Sequence, residues 1–164
     1  MAYEQNPYAV KISLIADASG ATASPVNGGS VSLQKQFYFV KLATASTTNY
    51  NPTGVVATAV SAPADRAIGV LQNNPRVYFD AQGNVEGVSE AEVTVSGVTK
   101  VVAGASFAAG SIITSGTDGR AVALVAGATA ATTAYILGTA LTPASAANDV
   151  VTVVINASAA GRGA

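Results

Sequence analysis

Cysteine and histidine are absent from the 164 residues. The first absence excludes disulfides and thiolate metal sites. The second removes the commonest general base and the commonest zinc ligand, so any metal would have to be held by oxygen alone. Tryptophan is missing too, and with it the usual sugar-stacking platform. Charged residues make up 10% of the chain, against roughly 25% in ordinary soluble proteins. The net charge is −1 and the eight Lys and Arg are scattered, so the concentrated positive field that nucleic acid requires is not written here. No segment matches Gly-x-x-x-x-Gly-Lys-Ser/Thr or Gly-x-Ser-x-Gly, and no His could activate a serine. The expectation is a protein that is not an enzyme and carries no cofactor or metal.

Two further absences concern membranes. The start, Met-Ala-Tyr-Glu-Gln-Asn-Pro, lacks the basic segment and apolar run of a secretory signal. The stretch from Ala121 to Leu141 carries no charge over about the length a bilayer needs. It is nevertheless Ala/Thr/Gly-rich, with strong apolar residues only at Val122/Leu124/Val125 and Ile136/Leu137/Leu141. Two strands joined by a linker are expected there, with no membrane partner.

What is present is small and β-prone. Hydrophobic residues reach 49%, much of it Ala, so the core should be thin and further surface could be buried by assembly. The fold class expected is all-β: a compact small β-barrel or β-clip-like domain of short strands with an extended N-terminal arm. Residues 1–34 read as that arm, 35–156 as the β-rich domain and 157–164 as a flexible tail. In the arm, Pro7, Pro25, Gly20, Gly28 and Gly29 break the chain repeatedly. Only Ala9 to Ile15 alternates like a strand, with Val10, Ile12 and Leu14 on one face. If the arm orders on a partner, Tyr3 and Tyr8 are natural anchors.

The stretch from Val88 to Val125 organises the rest, as strand, loop, strand, turn, strand. Glu92 to Val95 alternates, Gly97 interrupts, and Val98, Lys100 and Val102 resume on the other parity, the mark of a β-bulge. Ser115-Gly116-Thr117-Asp118-Gly119 supplies a tight hairpin turn between Ile112–Thr114 and Arg120–Val125. Upstream, Gln36 to Leu42 reads as an aromatic strand, with Phe37, Phe39 and Lys41 on one face. Val55–Val60 and Arg66–Leu71 are further strands, and Val77–Phe79 with Val85–Val88 form a hairpin. Its tip spaces Asp80, Gln82, Asn84 and Glu86 like alternate ligands but lacks the second acid, the Gly position and the distant Glu of a calcium loop, so a plain turn is expected. Glu90 and Glu92 lie on one strand parity roughly 7 Å apart, within inverting-glycosidase range, but a solvated strand face is the better reading.

A weak echo links two parts of the chain. Ile68-Gly69-Val70-Leu71, Pro75 and Glu92-Val93-Thr94-Val95 are mirrored by Leu137-Gly138-Thr139-Ala140-Leu141, Pro143 and Asp149-Val150-Val151-Thr152-Val153. Two similar hairpins or a structural repeat would both give it.

In their order, Gln36-Phe37-Tyr38-Phe39-Val40-Lys41-Leu42, then Arg66-Ala67-Ile68-Gly69-Val70-Leu71-Gln72-Asn73-Asn74-Pro75, then Glu90 to Val101 resemble the tailed-bacteriophage capsid decoration (cement, head-stabilising) proteins. Ala109-Gly110, Thr117-Asp118-Gly119-Arg120, Leu137–Leu141 and Asp149-Val150-Val151 continue the pattern, which covers about Gln36 to Ile155. The resemblance implies a virion structural protein on the outer surface of the expanded head, made in the bacterial host cytoplasm. It implies the major capsid protein as partner, and self-association as a homotrimer at local three-fold positions that stabilises the shell against packaged DNA. Tyr3, Tyr8, Val10, Ile12 and Leu14 are then the candidate capsid-contact residues. The rival reading is a head-surface binding module for a host cell surface or glycan, with exposed aromatics at Tyr78-Phe79 or Phe37-Tyr38.

Overall fold

The computed structural model describes residues 9–16, 29–32, 35–44, 55–60, 64–124 and 134–157. Among them there is no α-helix, and no helix long and apolar enough to cross a membrane. The twelve strands are β1 (Val10–Ala16), β2 (Gly29–Ser32), β3 (Phe39–Thr44), β4 (Val55–Ala59), β5 (Gly69–Leu71), β6 (Arg76–Phe79), β7 (Val85–Val88), β8 (Glu90–Val102), β9 (Ile112–Ser115), β10 (Ala121–Ala123), β11 (Gly138–Ala140) and β12 (Val150–Asn156). Nine form one sheet in the order β1-β4-β3-β5-β8-β12-β11-β9-β10, and β1 also pairs with β8. The all-β, barrel-like expectation therefore holds. A small second sheet, β2-β6-β7, is antiparallel throughout.

β8 is the strand the molecule is built on. Its first half closes a five-stranded ring, β1-β4-β3-β5-β8, in which only β1 and β4 run parallel. Its second half begins another five-stranded array, β8-β12-β11-β9-β10. A parallel bridge from Ala103, just past β8, to Ala121 brings that array back on itself.

The change of role happens at a bulge, two residues before the Gly97 where the sequence places it. Val10 pairs with Ser96 but Lys11 with Thr94, so Val95 is the extra residue, and Gly97 follows with φ 106°. Thr94 shares a side with Val70 and Phe39, while beyond the bulge Thr99 and Val101 share that side with Val153 and Val151. One extra residue thus puts even positions before the bulge and odd positions after it on the same side of β8, the side that faces the second core. Consequently one side of β8 leads from the outside of the first ring into the second. The other side leads from the inside of the first ring onto the outer face of the second.

The register shows that the two arrays repeat each other. Val40 stands opposite Gly69 as Ile113 stands opposite Gly138. Leu71 pairs with Val93 as Ala140 pairs with Val153. Ile12 pairs with Val93 as Thr99 pairs with Val153, and Leu14 with Ala91 as Val101 with Val151. Ala16 meets Ala57 in parallel as Ala103 meets Ala121. Strands β1, β3, β4, β5 and the first half of β8 thus correspond to the second half of β8, β9, β10, β11 and β12. The sequence echo is a repeat, but its equivalent residues are Val93 and Val153, two positions from where the Val-Thr-Val match would set them.

Each ring has its own core. The first holds Ala16, Val40, Leu71, Ala91 and Val93. The second holds Val101, Ala103, Ile113, Ala121, Leu137, Ala140, Val151, Val153 and Ile155, joined by Phe39, Val60, Ala67 and Val70 from the first repeat. Each parallel seam carries an Ala–Ala pair in register, Ala16 with Ala57 and Ala103 with Ala121. A Cβ at Gly69 or Gly138 would overlap the carbonyl oxygen of Thr94 or Val154 respectively.

Three expectations change. The aromatic strand starts at Phe39, because Phe37 takes φ 66° and turns the chain. Its N–H donates to the Leu71 carbonyl and its own carbonyl accepts from Val102 N–H, so it joins β5 to the end of β8. Within 1–34, Val10–Ala16 is a stave of the first ring and Gly29–Ser32 an edge of the small sheet. Ala157, placed in the tail by sequence, is buried, while residues 158–164 lie outside the described residues.

Candidate interaction face

The repeat exposes an asymmetry that locates the site. In the first repeat the in-register row Phe39, Val70 and Thr94 crosses β3, β5 and β8. All three are buried, with Phe39 and Val70 at 0% exposure inside the second core. The equivalent row of the second repeat is Ile112, Thr139 and Val154, extended by Val98 on β8. Here Ile112 is 45% and Val154 39% exposed. The same register position is therefore a core row in one repeat and an open apolar row in the other.

The open face continues in both directions. Val150, opposite Val102, and Leu141 are exposed beside it. Lys100 is the charged residue on this part of β8 and has no ion pair among the described residues. Toward the first ring, Val10 pairs with Ser96, which also faces Asn156, and Ile12 pairs with Val93. Val10 and Ile12 are exposed, whereas Thr99, the counterpart of Ile12, is only 7% exposed. The mouth of the first ring and the outer row of the second thus form one apolar surface along one side of β8. Apolar area gathered in this way on a surface is characteristic of contact with another macromolecule.

Two polar joints hold the framework behind this face. Asn73 donates to the Glu90 carbonyl at 2.7 Å and accepts from Glu92 N–H at 3.1 Å, extending the β8 ladder with a side chain. Gln72 Oε1 accepts from Thr99 Oγ1 across the two repeats, and the Gln72 backbone carbonyl accepts from Gln36 Nε2. The Gln-Asn-Asn-Pro stretch therefore serves as a structural seam. At the other joint, the β9–β10 turn docks on β3: Phe39 N–H donates to the Gly119 carbonyl at 2.7 Å. Gly119 is required there, with φ 86° and the Phe39 carbonyl where a Cβ would lie. Arg120 Nε donates to Asp118 at 2.6 Å and Nη1 to Asn148 at 2.9 Å, pinning this turn to the one before β12. Burial pushes the Asp118 carboxyl up, but Arg120's backbone N–H, guanidinium hydrogen bond and charge outweigh it and hold it below its ordinary value.

The other sequence candidates separate. Tyr3 and Tyr8 lie outside the described residues. Leu14 packs against the first core, so of the β1 candidates Val10 and Ile12 reach the surface. Glu92 pairs with Lys11 and Glu90 accepts from Ser13, both across β1. Asp80 spends its carboxylate on Gln82 N–H, Asn84 N–H and the Asn84 amide, which is why the ligand-like spacing arises. Asn84's side-chain bond leads the contacts that lower the Asp80 pKa. Tyr78 is exposed but Phe79 is buried, and Lys35 covers the Tyr38 ring at 4.8 Å, so neither aromatic pair forms an open platform. No cluster of three or more acids able to hold a metal occurs among the described residues.

A duplicated, strand-sharing β fold with one apolar face left open defines the class of protein. No family model matches the chain, and no curated protein matches it in sequence. Among solved structures, its fold is similar to the head fiber gp8.5 N base in bacteriophage phi29. That similarity has a TM-score of 0.53 at 15% identity and covers 91% of this chain and 95% of that one.

Proposed function

We propose that this chain is a structural protein of a tailed-phage head, which binds the outer surface of the expanded shell and stabilises it against internal DNA pressure. The observation that carries the reading is the whole-length likeness of its fold to a head fiber base. The segment-by-segment resemblance to decoration proteins and the apolar face agree with it. In this reading the chain is a homotrimer at local three-fold positions, and its partner is the major capsid protein. Attachment at several points gives a lasting hold from modest contacts, since linked sites raise avidity by about 10²–10⁴. The head contact is assigned to residues 1–8 with Tyr3 and Tyr8 as anchors, while β1 secures that segment to the first ring through Leu14 and Ala16.

The test is co-sedimentation with expanded, undecorated heads of the virus that encodes the chain. The full chain should bind saturably at a fixed ratio to the shell subunit. A variant lacking residues 1–8 should keep its β-sheet spectrum and lose binding. Absence of binding by the full chain would refute the function; unchanged binding by the truncated chain would refute the placement of the contact.

A further inference from the structure

The repeat also says what fits the open face. Inside the chain, the row Phe39–Val70–Thr94 of the first repeat is covered by the interior of the second. In the matching row, Ile112–Thr139–Val154, the apolar ends Ile112 and Val154 are exposed and Thr139 between them is half-buried. Its complement, by the same packing, is the interior mouth of another such repeat. The second repeat has no mouth to offer, because its position Thr99 is already closed and bonded to Gln72. The first repeat does: its equivalent residue, Ile12, is 38% exposed with Val10 beside it.

We infer that the open face is a self-association surface, on which the Ile112–Thr139–Val154 row of one copy packs against the Val10/Ile12 mouth of a second copy. Both halves of the contact are apolar, and both already have a working counterpart within the chain at the junction between repeats. Because the two patches differ, the contact is heterologous wherever it is repeated head to tail, and such contacts close into rings when the rotation permits. The inference rests on the self-association in the proposed function and adds to it the surface that is used.

Absence of cysteine makes the test direct. Two single variants, Ile12→Cys and Ile112→Cys, are mixed and oxidised, with Gln82→Cys at the remote β6–β7 tip replacing Ile112→Cys as the control. The mixed Ile12/Ile112 disulfide can form only between copies, and it should exceed the control by at least about tenfold. Equal yields would overturn the proposal. In parallel, Ile112→Asp, a change at an exposed position, should abolish the oligomer in sedimentation velocity while leaving the β-sheet spectrum unchanged. A wild-type chain that is monomeric would overturn the inference and its premise together. A chain that oligomerises equally well as Ile112→Asp would overturn the surface and leave the premise standing.

Discussion

At the scale of single residues, the sharpest constraints are backbone approaches and a few polar atoms. Gly69 and Gly138 occupy the same position in the two repeats, each with a carbonyl oxygen where its Cβ would lie. Gly69→Ala and Gly138→Ala should each destabilise by about 1–3 kcal/mol through forced backbone movement, measured by urea unfolding; a loss in one alone would contradict their equivalence. Thr114 points a buried hydroxyl with no partner among the described residues. Thr114→Val should stabilise by about 1 kcal/mol, since the desolvated hydroxyl goes while the volume stays. Asp118 has a lowered folded pKa, so its contribution is complete above its ordinary value of 3.8 and is lost as pH falls through the lowered one. Asp118→Asn should therefore flatten the stability profile in that acid range, and an unchanged profile would remove Asp118 from the joint with Arg120. Gly97 was visible in the sequence as an interruption of a strand pattern, and Gly69 and Gly138 as matched positions of the internal echo. Phe37 was not, because a left-handed aromatic is imposed by the Leu71 and Val102 bonds around it.

At the scale of elements, period-two alternation made β1 and the first half of β8 legible, turn residues marked the β6–β7 and β9–β10 hairpins, and a run of Val and Ile marked β12. β2 was hidden: Gly29-Ser30-Val31-Ser32 has little apolar signal and is a strand because β6 pairs with it. The open row was hidden for another reason. Val150-Val151-Thr152-Val153-Val154-Ile155 is apolar on both parities, as in a strand covered on both sides, yet only its odd residues are buried. Sequence shows that both faces are apolar; only the fold shows that one lacks its cover. The equivalence of Phe39 and Ile112 turns this into a measurement. Phe39→Ala should cost about 3–5 kcal/mol, while Ile112→Ala should stay within about 0.5 kcal/mol when measured on monomer. Comparable losses at the two positions would mean that the rows are not differently covered.

At the scale of the whole molecule, one strand shared by two repeats gives a thin-cored chain two barrels for little more than the length of one domain. The five-stranded rings leave few sheet edges to pair with wrong partners, while the apolar face stays available for the right one. These properties suit the proposed bracing role. The rupture temperature of DNA-filled heads tests the proposed strengthening of the head. With the chain bound, that temperature should rise, and the rise should saturate when binding does. Heads that bind the chain and rupture at an unchanged temperature would contradict the account.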